Sequence, residues 1–125
     1  MKSESVWQLM RLLILIVFSL IGCVSLSLDE EAHRLALWNF SYVEDVDDEY
    51  LIYDSISIPF HGDCEDYAFT LQRAIGGDVW YIEREGKSAH AALVKNGIVY
   101  DSLFKHPINQ SAYRGEFLFI MKATK

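Results

Sequence analysis

Cysteine, proline and basic charge are scarce in this chain of 125 residues. Of its two cysteines, Cys23 lies in an apolar N-terminal run. The remainder therefore carries one thiol, Cys64, and no internal disulfide can brace it. Two prolines and seven glycines leave no Pro/Gly-rich linker, and there is no repeat or low-complexity tract. Eleven Lys and Arg against eighteen Asp and Glu give a net charge of −7. Lys2 and Arg11 precede Cys23, so the chain beyond that cysteine is more acidic still. Such a surface repels phosphate backbones and argues against nucleic acid as a partner.

What the chain does have, at its start, is an uncharged stretch over 12–22, LLILIVFSLIG. Lys2 and Arg11 come before it and Asp29, Glu30 and Glu31 after. A basic start and an apolar stretch of this length fit a secretory signal. Read on to Leu28, the stretch reaches 17 residues, the short edge of the roughly 17–25 a spanning helix needs, so a signal anchor fits too. Leu20-Ile21-Gly22-Cys23 also resembles a bacterial lipoprotein box, which implies cleavage before Cys23 and acylation of its thiol; a cysteine packed in an apolar helix is the plainer alternative. Each reading leaves the basic end in the cytoplasm and the rest outside; as a lipoprotein or signal-anchored protein it would sit at the membrane, in the periplasm or at the cell surface. Residues 1–28 are then the signal, lipoprotein signal or anchor, and 29–125 one folded unit with room for one core. A lone thiol in an oxidising compartment needs a reason to be there.

Ser27 and Glu30 read as a capping box, and Ala32, Leu35 and Ala36 recur at helical spacing, predicting a helix over 28–39. Six acids between 44 and 54 (Glu44, Asp45, Asp47, Asp48, Glu49, Asp54) read as a solvated irregular stretch. Tyr50 stands where an EF-hand loop demands glycine. Pro59 leads into a second helix, capped by Asp63 with Asp66 three residues on. There Cys64, Tyr67, Ala68, Leu71 and Ile75 fall on one face, and Gly76-Gly77 ends the run. Strands are expected over 79–83, 89–94, 98–104 and 117–122, with Asn96-Gly97 as a hairpin turn and a loop over 109–115.

The hairpin places His90 and Asp101. A two-residue turn sets Ala92 opposite Asp101 and His90 opposite Leu103. Residues two apart on a strand share a face, as cross-strand partners do, so His90, Ala92 and Asp101 point the same way. His90 and Asp101 become diagonal neighbours with Cα atoms roughly 7–8 Å apart, and a carboxylate there accepts the Nδ1 proton and fixes the imidazole tautomer. At the first turn of its helix, Cys64 meets partial positive charge and free N–H groups that lower a thiol pKa and suit an oxyanion. Asp63, Glu65 and Asp66 push the other way. Cys64, His90 and Asp101 are thus a candidate catalytic set. Each also has a plainer account, as a packed helix residue, a satisfied strand histidine and a turn carboxylate. His33, His61 and His106 are expected at the surface, with His61 an alternative base because it lies three residues before Cys64.

A cysteine at a helix start, a histidine on a strand and an aspartate on the next resembles the transglutaminase-like fold. Gly62-Asp63-Cys64-Glu65-Asp66-Tyr67-Ala68 resembles the bacterial transglutaminase-like cysteine proteinases. Asn39, Tyr42 and Asp45 resemble that family's spacing upstream of the motif, and Asp54 and Pro59 a further segment. The resemblance implies an α+β fold with a papain/transglutaminase-like core, in which the helix bearing Cys64 packs on a small antiparallel sheet bearing His90 and Asp101. Cys64 would attack an acyl carbon, His90 shuttle the proton and Asp101 orient His90, with no cofactor required for that chemistry. Some members bind calcium through acids flanking the cysteine, which makes Asp63, Glu65 and Asp66 candidate calcium ligands; helix capping is the alternative use of the same acids. A calcium site takes six or more oxygens, so these three would need help from the stretch after Glu44. The function implied is an exported, membrane-tethered cysteine hydrolase acting on protein or peptide. Acyl transfer to an amine, and a non-catalytic binding module on the same fold, remain open beside it.

Overall fold

The computed structural model describes residues 2–44 and 50–123, apart from the side chains of 2–4 and 17–27. Asp45 and the acids at 47–49 lie outside the described residues, as does the side chain of Cys23. One helix, α1, extends over Lys2–Asn39, so Ser27 is not a helix start. No proline interrupts the run, and a single interior glycine, Gly22, costs only about 1 kcal/mol. Among the described residues no helix is long and apolar enough to cross a membrane.

Two short strands, β1 (Phe40–Tyr42) and β2 (Phe60–Gly62), pair in parallel and lead into α2 (Cys64–Ile75). Then come β3 (Asp78–Glu83), β4 (His90–Lys95), β5 (Ile98–Tyr100) and β6 (Ile108–Asn109), a 3-10 turn at Gln110–Ala112, and β7 (Glu116–Met121). The second sheet is antiparallel throughout, in the order β6-β5-β4-β3-β7. The fold class is therefore α+β.

The central strand β4 is buried from His90 to Val94, which is why HAALV reads as an unbroken apolar run rather than an alternating one. One of its faces, with Ala91 and Leu93, joins Val79 and Tyr100 against Tyr67, Ala68 and Leu71 of α2. The other, with Ala92 and Val94, packs with Ile82, Val99 and Tyr113. Each large side chain so buried stabilises the fold by roughly 1.5–3 kcal/mol.

Three differences from the sequence reading concern extent. The strand expected to run to Phe104 stops at Tyr100 because the chain turns there, with the Phe104 N–H donating to the Asp101 carbonyl (3.1 Å). The loop expected over 109–115 includes the end of β6 and the 3-10 turn. The pair β1–β2 was not anticipated, since three residues show no periodicity.

Candidate active site

α2 begins where its sequence says it should. The Asp63 carboxylate accepts the N–H groups of Glu65 (3.1 Å) and Asp66 (3.2 Å), and Asp66 returns the bond by accepting the Asp63 N–H at 2.9 Å. The other Asp66 oxygen accepts the Leu51 N–H at 2.6 Å. Asp63 and Asp66 are thereby engaged by backbone. Among the described residues no group of three His, Cys, Asp or Glu is placed to hold a metal. Gly62 precedes this cap without a side chain because Asp66 fills the space: a Cβ there would come within 2.3 Å of a carboxylate oxygen.

Cys64 opens the helix, half-buried and free of any disulfide. The Ala91 N–H, next in the chain after His90, favours the thiolate of Cys64. That amide lies on the stretch of β4 that β5 does not reach, since β5 pairs only from Leu93 onward. Among the described residues no direct hydrogen bond joins the thiol to the His90 ring.

His90 and Asp101 meet. The ladder pairs Leu93 with Tyr100, Val94 with Val99 and Lys95 with Ile98, the register a two-residue turn demands. One expectation is corrected: the ring nitrogen on the carboxylate is Nε2, not Nδ1, at 2.6 Å from Asp101 Oδ1. Asp101 lies just past the end of β5, where the chain turns, and there it meets the far nitrogen. Nε2–H is then the donor to the carboxylate.

Asp101, 1% exposed, also accepts the Leu103 N–H at 2.9 Å and the Tyr113 hydroxyl. Burial pushes its carboxyl pKa up, but His90, through its hydrogen bond and its charge, together with the Tyr113 and Leu103 hydrogen bonds, outweighs burial and holds it below the usual range. Tyr113 was not singled out in the sequence. An aromatic in a polar loop was its only signal.

The thiol goes the other way. Burial, the largest influence, and the charges of Asp63 and Glu65 push Cys64 up to about 11, against the Ala91 and Glu65 N–H groups. The resting side chain is a neutral thiol. A group whose pKa is raised on folding stabilises the fold below its unfolded value, about 8.5, and loses that contribution as pH rises through the folded value. The melting temperature of the wild type is therefore expected to fall faster than that of Cys64→Ser between pH 8.5 and 11, by an amount worth roughly 3 kcal/mol at most. Parallel curves in a thermal melt series would show that the thiol is not so placed.

His33 is not at the surface. It is fully buried, with Nε2 donating to the Phe104 carbonyl (2.8 Å) and Nδ1 meeting the Tyr67 hydroxyl (2.7 Å), and burial lowers its pKa. Helical spacing missed it because His33 lies next to Ala32 and three residues before Ala36, on the docked face. His61 and His106 are exposed, as expected. Asn39 donates to the Ile56 carbonyl and Asp54 pairs with Arg73; Tyr42 and Glu44 are exposed.

An open cleft of about 1170 Å³ lies between the β3–β4 loop and the start of β7, lined by Arg84, Lys87, Arg114, Glu83, Glu85 and Glu116 among others. No protein-family model, no curated protein and no solved structure gives a significant match to this chain.

Proposed function

We propose that the protein is an exported, membrane-tethered cysteine hydrolase, a peptidase of transglutaminase-like type, working through an acyl-enzyme on Cys64. The observation that carries this reading is the His90–Asp101 pair at 2.6 Å, next in the chain to Ala91, whose N–H favours the Cys64 thiolate. With Nε2 tied to Asp101, the Nδ1 lone pair is left to take a proton. Because the thiol rests neutral, the step is general-base assisted. His90 Nδ1 takes the thiol proton as sulfur adds to the carbonyl carbon and the C=O electron pair moves onto oxygen. Collapse expels the amine, which takes the proton from Nδ1. Water then repeats the cycle on the thioester and frees the thiol. Capping occupies the Glu65 and Asp66 amides and the Tyr67 N–H bonds the Asp63 carbonyl, which leaves the Cys64 N–H as the first-turn oxyanion donor.

The experiment needs no natural substrate. p-Nitrophenyl acetate offered to the full chain in detergent is expected to give a stoichiometric burst of p-nitrophenol and an acetyl group on Cys64. Cys64→Ala should abolish the burst, and His90→Ala should slow it about 10²–10⁴-fold. A burst that survives Cys64→Ala would falsify the reading.

The raised thiol pKa specifically favours a second reading, a binding module that keeps the fold without the chemistry. On that reading Cys64 alkylates no faster than a buried thiol of its pKa and is indifferent to His90→Ala.

A further inference from the structure

Asp101 opens a stretch, residues 101–107, that belongs to no strand or helix. Apolar burial does little to hold it. Leu103 is 54% and Phe104 43% exposed, and the Phe104 ring meets Tyr113 edge-on, with 6.4 Å between centroids. Within the turn, the Phe104 N–H donates to the Asp101 carbonyl (3.1 Å) and the Leu103 N–H to Asp101 Oδ1 (2.9 Å). These two bonds set the shape of the turn rather than its place in the molecule. Besides the side chain of Asp101 itself, what anchors the turn from a distant segment is His33, whose Nε2–H donates to the Phe104 carbonyl at 2.8 Å.

The other nitrogen of that ring meets the helix of Cys64. Nδ1 accepts the Tyr67 hydroxyl at 2.7 Å, and the same hydroxyl lies 3.2 Å from the His33 carbonyl. Tyr67 follows Cys64 by three residues on α2, so both stand on one face of that helix. A neutral ring satisfies both bonds at once, and burial, the largest influence, lowers the His33 pKa and favours that form. Beyond burial, the charge of Asp101 is felt at both His33 and Tyr67. One buried imidazole, carried by α1, therefore bridges the helix that bears Cys64 and the turn that bears Asp101.

We propose that His33 is a positioning residue that holds α2 and the 101–104 turn in register, which makes the docked end of α1 part of the working site. For the chemistry this rests on the reading of Cys64 as nucleophile; the bridge itself does not depend on it. Misplacing a reacting group by about 1 Å costs on the order of 10²-fold, and loss of the arm to Phe104 lets Asp101 drift from His90. The two arms can be cut separately. Gln reaches as far as Nε2 and keeps a donor for the Phe104 carbonyl, while Tyr67 retains the carbonyl of residue 33. Asn reaches only as far as Nδ1, so it accepts from Tyr67 and leaves Phe104 without its donor.

The test compares His33→Ala, His33→Asn and His33→Gln in the full chain in detergent, with p-nitrophenyl acetate as the probe. The burst rate is expected to fall about tenfold in His33→Ala and His33→Asn, the size of one lost buried hydrogen bond. His33→Gln should recover most of it, and the burst should stay stoichiometric in all three. A merely structural histidine would lower the amplitude, because fewer molecules are folded, and leave the rate alone. Asp29→Asn, which breaks another link of α1 to the body, the ion pair with Lys95 (2.8 Å), should leave the rate alone. Hydrogen exchange supplies a readout that needs no chemistry. Relative to the amides of β3, those of Leu103 and Phe104 should exchange about tenfold faster in His33→Asn than in His33→Gln. These two variants decide the matter even where His33→Ala fails to fold. Equal exchange in the two, a loss confined to the amplitude, or an equally slow Asp29→Asn overturns the assignment. A wild type without a burst would sink the hydrolase reading alone, and exchange at Leu103 and Phe104 would still decide the bridge.

Discussion

Asp101→Ala is expected to destabilise the fold by about 3–5 kcal/mol, the cost of removing one member of a buried ionic cluster. The substitution strands three donors at once: His90 Nε2–H, the Leu103 N–H and the Tyr113 hydroxyl. Asp101→Asn is the informative companion. Its amide oxygen still accepts from His90, and the Tyr113 hydroxyl can turn to accept from its NH₂, so stability falls by only about 1–2 kcal/mol. Acylation of Cys64 should nonetheless slow by about 10²–10⁴-fold, because a neutral partner does not support the imidazolium. Acid titration supplies a further readout. The Asp101 carboxyl is held below its usual range; a group so lowered stabilises the fold above its unfolded pKa of about 3.9 and loses that contribution as pH falls through the folded value. That acid-side loss should be present in the wild type and missing in Asp101→Asn. Melting temperatures of the three proteins from pH 2 to 6, beside burst rates at neutral pH, decide the matter. Equal stability of Asp101→Ala and wild type would mean that the carboxylate is not the hub described.

Gly62→Ala should have the second largest effect, roughly 2–4 kcal/mol, from overpacking plus a damaged helix cap. The added Cβ would lie 2.3 Å from Asp66 Oδ2 and 2.5 Å from its Cβ, and Asp66 cannot swing aside without releasing the Asp63 and Leu51 amides. The displaced first turn is the one that bears Cys64, so hydrogen exchange at Cys64–Tyr67 should speed up and the burst should weaken. Gly86→Ala is the control. Its φ of 69° also favours glycine, but nothing lies within 4 Å of the added atom, so the cost is about 1–2 kcal/mol of backbone strain. Melting curves that rank the two alike would remove the steric account of the motif's glycine.

The parts of the site that were legible in sequence are those set by local rules. Asp63 and Asp66 three apart, an apolar stripe from Cys64 to Leu71, and Gly76 at the end fix α2 almost to the residue. Asn96-Gly97 fixes the register that brings Asp101 to His90. What escaped depends on contacts between distant segments. Which imidazole nitrogen meets Asp101 is set by where β5 ends, and that end is dictated by packing of the turn at 101–104. Tyr113 meets Asp101 across 12 residues that include β6 and the 3-10 turn. His33 looked like a surface residue because its partners, Tyr67 and Phe104, are 34 and 71 residues away. The balance of influences on the Cys64 thiol was visible as opposing signs, helix start against three acids, but its outcome needed the burial that only packing supplies.

The unbroken course of α1 from Lys2 to Asn39 has a bearing on orientation. Its docked end, through His33 and Ala36, is fixed to the body of the protein, and a helix transmits rotation as well as distance. One residue inserted near Leu28 would turn the body about 100° around the axis and move it about 1.5 Å, whereas seven would bring it nearly back into phase. The azimuth at which the cleft faces, relative to whatever grips the first turns, is therefore written in the number of residues between them. A flexible tether would carry no such memory.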